Sequence, residues 1–253
     1  PGLVNAHTHL ELSWLEGRVP PQDSMDEWIG TMMRIRRKGP AGGDADITSA
    51  IRDAITAIRA TGTVLVGDIS NTLASVPLLD HANLAGAVFH EILGFRPVDP
   101  AGMVREAHAR LDHVITTSPD HRSPDRRWSV VAHAPYSTSP ALFREIAARH
   151  EGPAPLSVHL AESNEEMEFL QTGRGPIRDM LERLEVWDDA WTPPGAHPVR
   201  FMRDVGYLAP GTLLVHGVHL SPTDLDEARD AKAVLVTCPR SNVWVGGGVP
   251  PVA

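Results

Sequence analysis

Gly2-Leu3-Val4-Asn5-Ala6-His7-Thr8-His9 is a short, largely apolar run closed by two histidines one residue apart. Three further phrases repeat the theme: His133-Ala134-Pro135-Tyr136, His159-Leu160-Ala161-Glu162 and His216-Gly217-Val218-His219, each directly after an apolar stretch. Such stretches predict β-strands. Residues i and i+2 of a strand point to the same side, so His7 and His9 can grip one ion from a single strand end. Neutral imidazole is a common ligand for zinc and iron. Histidines at the ends of several parallel strands converge at the mouth of a barrel. An isolated His-x-His is more often two solvated side chains. Its recurrence at four strand ends makes a metal-dependent hydrolase the first hypothesis.

The stretches between these phrases fit that frame. Strand patterns fall at 2–6, 63–68, 85–92, 129–132, 156–160, 212–215 and 233–237, and helical ones at 25–36, 47–60, 103–111, 140–150, 163–170, 177–184, 198–205 and 222–232. Ile51, Ile55 and Ile58 mark the buried face of the second helix. A polar loop is expected at 119–127. Strands alternating with helices imply a parallel sheet. The expected fold is α/β, a distorted TIM (β/α)8 barrel forming one domain over residues 1–253, since such barrels need about 250 residues. With seven strands counted, the barrel is expected to stop before strand eight. The chain opens inside its first strand and closes on Gly246-Gly247-Gly248-Val249-Pro250-Pro251-Val252-Ala253, so a segment cut from a longer protein is expected.

Composition narrows the classes. The hydrophobic fraction of 42% is ample for a core, and the net charge of -9 speaks against a nucleic-acid partner. No apolar run reaches the ~18 residues of a membrane span, and no signal peptide opens the chain. A lone cysteine, Cys238, excludes an intramolecular disulfide and fits a reducing, cytoplasmic setting. A homo-oligomer is compatible with all of this.

The residues then sort into roles. His7, His9 and His159 are the candidate metal ligands. Glu162 lies three residues past His159, where a carboxylate can take a proton from water and hand it to a leaving group. The competing account makes it a helix-start carboxylate or part of a solvated Ser163-Asn164-Glu165-Glu166 face. His216 can ligate metal or hydrogen-bond the attacking hydroxide. His133, aimed by the following turn, is expected to face the substrate; a satisfied core histidine is the alternative for it and for His219. The excursion after strand one carries Glu11, Trp14, Asp26 and Trp28. An aromatic beside a carboxylate suits a heterocycle bearing a ribose or an amino-substituted ring, and the alternative is that Trp14 and Trp28 pack the excursion onto the barrel. The remaining histidines, among them His90, His121 and His197, lack metal-type spacing.

Together, Pro1-Gly2-Leu3-Val4-Asn5-Ala6-His7-Thr8-His9, His133-Ala134-Pro135-Tyr136-Ser137, His159-Leu160-Ala161-Glu162, His216-Gly217-Val218-His219 and Cys238-Pro239-Arg240-Ser241-Asn242 resemble the amidohydrolase superfamily, in its deaminase and chlorohydrolase branch. The Asn5 to Ser13 run is similar to aminofutalosine deaminases. The resemblance implies one divalent metal held by His7, His9 and His159, with Glu162 as proton shuttle. It implies that His216 orients the hydroxide and the leaving amine, and that His133 and Asn242 lie near the substrate. Metal-hydroxide attack on an amino-substituted heterocycle or nucleoside, with release of ammonia, is the implied reaction. A chlorohydrolase or cyclic-amide hydrolase would use the same parts, and a non-catalytic binding barrel is the reading from another class. Two departures stand out. The family's strand-eight aspartate phrase is absent from this sequence, and so is the flanking β-sandwich. Two-metal members bridge their ions with a carboxylated lysine at strand four, which here carries His133. The only lysines are Lys38 and Lys232, so one ion is expected, zinc first and iron second.

Overall fold

A computed structural model of the chain describes residues 2–117 and 126–251. His121 and most of the expected polar loop at 119–127 lie outside the described residues; Arg126 and Arg127 already belong to a strand.

Among the described residues, seven strands alternate with helices. Strands β1 (Leu3–Thr8), β2 (Thr63–Ser70), β3 (Ala85–Ile92) and β4 (Arg126–Ala132) form one sheet in that order, and β5 (Ser157–Leu160), β6 (Leu213–His216) and β7 (Val234–Val236) form a second. Every pairing is parallel. The registers Thr8↔Asp68, Ile92↔Ala132 and Leu160↔His216 bring the carboxyl ends of the strands to one rim. The strand expected at 2–6 runs on through Thr8, so His7 is itself a strand residue.

Helices α1 (Met25–Lys38), α2 (Asp44–Ala60), α3 (Val76–His81), α4 (Pro100–Thr117), α5 (Pro140–Arg149), α6 (Asn164–Thr172), α7 (Pro176–Arg183), α8 (Pro198–Asp204), α9 (Pro222–Asp230) and α10 (Pro239–Trp244) fill the connections. Of these, α3 and α10 were not expected, nor was the 3₁₀ helix Leu10–Leu15. All three have six residues, too few for a helical period to emerge. Ile51 and Ile55 of α2 are buried against Val66, Val76 and Leu79, with Ile58 partly buried beside them. This is the apolar face that their spacing predicts. Most of these helices begin at a proline, where the missing N–H costs nothing.

The two sheets meet at β4 and β5 without a ladder of their own. The backbone of His159 donates to the carbonyl of His133 at 2.9 Å. Below it, the hydroxyl of Tyr207 accepts from the Ala132 N–H at 2.8 Å and donates to the Ser157 carbonyl at 3.0 Å. One phenol thus satisfies a donor on one sheet and an acceptor on the other, in a fully buried position. Tyr207→Phe leaves both backbone groups dry and unpaired. It is expected to cost about 1–3 kcal/mol of unfolding free energy in a urea titration; an unchanged midpoint would show that the seam does not depend on this hydroxyl.

At the other rim the strand starts are open. Leu3, Val4 and Val64 are more than half exposed. A cavity of about 440 Å³ is lined there by Val4, Leu65, Ala87, Phe89 and Leu213. The described strands β1 and β7 each pair on one side only. Among the described residues no helix is long and apolar enough to cross a membrane.

Candidate metal centre

Five imidazoles from four strand ends gather at the carboxyl rim. The ring of His7 lies 5.0 Å from that of His9, 4.7 Å from His159 and 5.6 Å from His216. His159 stands in the middle, with His133 at 4.7 Å and His216 at 5.4 Å. Donor atoms of His7, His159 and His216 all fall within 4.8 Å of one another. The Nε2 atoms of His9 and His159 are 3.2 Å apart. Nitrogens around a tetrahedral zinc at ~2.0–2.1 Å sit about 3.3–3.4 Å from one another, so that spacing suits two ligands of one ion.

Hydrogen bonds fix which nitrogen faces inward. His159 Nδ1 is 3.1 Å from the His133 carbonyl, which can only accept, so Nδ1 carries the proton and Nε2 presents its lone pair. Ser137 donates its hydroxyl to the Ala134 carbonyl and therefore accepts from His133 Nδ1 at 2.6 Å. His216 Nδ1 meets Asn242 Oδ1 at 2.7 Å. Three rings from β4, β5 and β6 thus share one tautomer, Nδ1–H outward and Nε2 inward. Burial pushes His7, His9, His133 and His159 away from the charged form. His9 is lowered to about 3 and His133 to about 4, both chiefly by burial, and His7 and His159 are lowered well below the usual imidazole range for the same reason. Among the described residues His7 Nδ1 is buried without a hydrogen-bond partner. A cluster of neutral, convergent nitrogens with an unpartnered member fits a divalent cation.

Glu162 stands beside them, with Oε1 3.4 Å from His216 Nε2 and little exposure. The backbone around it is held in place unusually firmly. Ala161 has φ 53° and His216 φ 76°, left-handed values that side chains seldom adopt, and Gly217 continues the turn at φ 60°. Such conformations cost on the order of 1–3 kcal/mol and persist where the surroundings impose them. Here the carboxylate of Glu166 accepts from the N–H groups of both Ala161 and Glu162 at 2.9 Å. Glu166 is fully buried, not part of a solvated face, and burial raises its carboxyl to about 8. The clue was the spacing Ser163-x-x-Glu166, a capping-box signature: Ser163 caps α6, and Glu166 reaches one and two residues further back.

The structure thus brings together His7, His9, His133, His159, His216, Glu162 and Asn242. Trp28 lies elsewhere. It packs with Trp14, Leu15, Val19 and Met32 under α1, its indole Nε1 buried without a partner. Among the described residues no hydrogen bond or ring contact joins it to the imidazoles. Glu11 is not free for a ribose either, because its carboxylate accepts from Ser70 Oγ, Asn71 N, Thr72 N and Thr72 Oγ1 at 2.7–3.0 Å. His90 is buried on Ser70 O, and His197 faces Asp224 at 3.7 Å.

Two carboxylates at the rim went unread in the sequence. Asp68 lies near the carboxyl end of β2, accepts from Leu10 N and Ser75 Oγ, and is raised to about 7 by burial. Glu91 ends β3 and is raised to about 8 by burial. Each is a lone acid inside an otherwise apolar strand, which was the available signal.

Comparison with known proteins adds the lineage. The amidohydrolase family model matches residues 1–253. Aminodeoxyfutalosine deaminase of Deinococcus radiodurans is 32% identical over 251 residues, which cover 96% of this chain and 57% of that protein. 5-Methylthioadenosine/S-adenosylhomocysteine deaminase of Halobacterium salinarum is 25% identical over 257 residues, 100% of this chain and 53% of that protein. Among solved structures, Helicobacter pylori aminofutalosine deaminase in complex with methylthio-coformycin is similar with a TM-score of 0.80 and 25% identity, over 98% of this chain and 58% of that one. The chain therefore spans little more than half the length of these relatives. Its histidine-bearing strand ends, its parallel sheets and the match along its whole length make it a member of the amidohydrolase family.

Proposed function

We propose that the protein is a metal-dependent hydrolase that deaminates an amino-substituted heterocycle carried on a nucleoside. The observation that carries this is the Glu162 carboxylate, 3.4 Å from His216 Nε2 at the edge of a set of inward-facing neutral imidazoles. A purely structural metal site needs neither an acid–base residue nor an open position. The relatives, deaminases of aminodeoxyfutalosine and of 5-methylthioadenosine or S-adenosylhomocysteine, favour a nucleoside over a triazine.

In this reading His7, His9 and His159 hold one divalent ion, zinc by the nitrogen-rich donor set. Bound there, the ion supplies Lewis acidity that makes water nucleophilic near neutral pH. Glu162 Oε1 takes a proton from the attacking water and delivers one to the amine nitrogen, which leaves as ammonia. His216, its Nδ1–H directed to Asn242, keeps Nε2 toward the reacting centre. His133 presents Nε2 toward the ring of the substrate, and Trp28 belongs to the segment covering it. The two sheets are taken as seven strands of an eight-stranded barrel. The carboxylate ligand of strand eight and the flanking sandwich lie outside these residues in this reading, as does any contact between copies. A cytoplasmic setting completes it.

The test is ammonia release across aminated nucleosides, amino-purines, amino-pyrimidines and triazines. Turnover is expected with adenosine-type nucleosides. Release of chloride or ring opening without ammonia would move the protein to the chlorohydrolase or cyclic-amide reading. Zinc binding with no turnover on any compound would leave a binding barrel.

A further inference from the structure

Glu91 is a carboxylate in an apolar strand, Ala-Gly-Ala-Val-Phe-His-Glu-Ile, and is 4% exposed. Among the described residues no lysine or arginine pairs with it. Burying such a group is costly unless it is hydrogen-bonded. One side is well provided for: Asn71 Nδ2 donates to Glu91 Oε2 at 2.9 Å and to the Glu91 carbonyl at 3.1 Å. Asn71 is itself fixed, since its backbone N–H donates to Glu11 Oε1 at 3.0 Å. The other oxygen, Oε1, has no hydrogen bond of ordinary geometry and is buried. It faces His159 Nδ1 at 3.4 Å. That nitrogen carries a proton, because it also lies 3.1 Å from the His133 carbonyl.

We propose that Glu91 is a positioning residue for His159. Its Oε1 shares the Nδ1 proton with the His133 carbonyl and so holds Nε2, the opposite ring nitrogen, on the metal. The route Glu11–Asn71–Glu91–His159 ties the ring on β5 to the turn after β2, across two strands. The principle is general: a histidine that ligates a metal donates its other N–H to an oxygen, which sets its tautomer and orientation, and loss of that partner typically weakens metal binding by about 10–100-fold. The inference rests on the metal-centre reading above and assigns it a residue that the ligand set does not contain. It also gives the buried oxygen a purpose that folding alone does not, because an unpaired buried carboxylate opposes folding.

Two variants test it, Glu91→Gln, which is isosteric, and Glu91→Leu, which is apolar. Zinc affinity is measured by chelator competition, unfolding by urea on the metal-free protein, and the ligand field by the visible spectrum of the cobalt-substituted protein. Both variants are expected to bind zinc about 10–100-fold more weakly. Their metal-free unfolding midpoint should be unchanged or raised, and the cobalt spectrum altered. The substrate KM at saturating metal should stay as in the native protein. Native-like zinc affinity in both variants would overturn the proposal, as would a lowered metal-free midpoint with zinc affinity intact, which would make Glu91 purely structural. Glu91, His133 and His159 also offer atoms within 4.8 Å of one another. A native stoichiometry of two ions that falls to one in the variants would make Glu91 a ligand and would likewise overturn it. If the native protein binds zinc and releases ammonia while the variants match it, this inference alone fails. A native protein that binds no zinc overturns both readings.

Discussion

Glu162→Gln is expected to lower kcat by at least about 10²–10⁴-fold, the usual contribution of a general acid–base group, while zinc content and substrate KM stay close to native. Gln keeps the volume and planar shape of the side chain, so its 3.4 Å approach to His216 Nε2 survives in outline. What is lost is the ability to take a proton from water and return one to the departing amine. The backbone of residue 162 is held independently, by Glu166 on its N–H. The substitution therefore leaves the turn intact and isolates the chemistry of the side chain. Substrate depletion and ammonia release under saturating zinc provide the measurement. A near-native kcat would return Glu162 to the role of a helix-start carboxylate favoured by the dipole of α6, and the proposed mechanism would go with it.

The same two glutamates illustrate what was legible in the chain. Glu162 follows His159 at a short fixed spacing, and local order is what sequence displays well. The strand-end histidines were legible for the same reason, since each sits directly after an apolar run. Asn242 was placed near the substrate by resemblance; the structure shows what it touches, which is Nδ1 of His216. Glu166 was less visible, because the donors it accepts from are orphan N–H groups that exist only once Ala161 has turned left-handed. That Glu91 meets Asn71 was invisible. Their contact depends on the β2–β3 register, in which Ser70 pairs with His90, and nothing local in either strand announces that pairing. Trp28 left two readings open in the sequence, a binding aromatic and a packing one. A tryptophan near a carboxylate in a loop looks like a binding feature, whereas an apolar cluster of Trp14, Leu15 and Val19 was already waiting for it. The tautomers were beyond sequence altogether, because each is set by the far side of its ring.

Metal analysis of the protein is expected to give about one divalent ion per chain, and the double substitution His7→Ala, His9→Ala to bring that close to zero. The two residues leave one strand on the same face, and their rings stand 5.0 Å apart, edge to face. Removing one imidazole leaves a site that water can complete; removing both leaves His159 as the sole remaining member of the proposed ligand set. His216 lies close enough to substitute for one of them, with its donor atom within 4.8 Å of those of His7 and His159. That proximity is why the double variant is the decisive one. Burial strengthens the expectation. It holds His9 down to about 3 and His7 and His159 well below the ordinary imidazole value. The lone pairs are therefore available to a cation at neutral pH without competition from protons. Alanine at both positions also removes the unpartnered Nδ1 of His7 and the crowding of buried imidazoles, so the metal-free variant should unfold at a urea concentration no lower than metal-free native protein. Loss of metal would then not be secondary to loss of fold. Unchanged occupancy in the double variant would mean that the ion sits among His133, His159 and Glu91 rather than on the first strand, and a stoichiometry near two in the native protein would put a second ion there; either result would mean abandoning the one-ion ligand set proposed here.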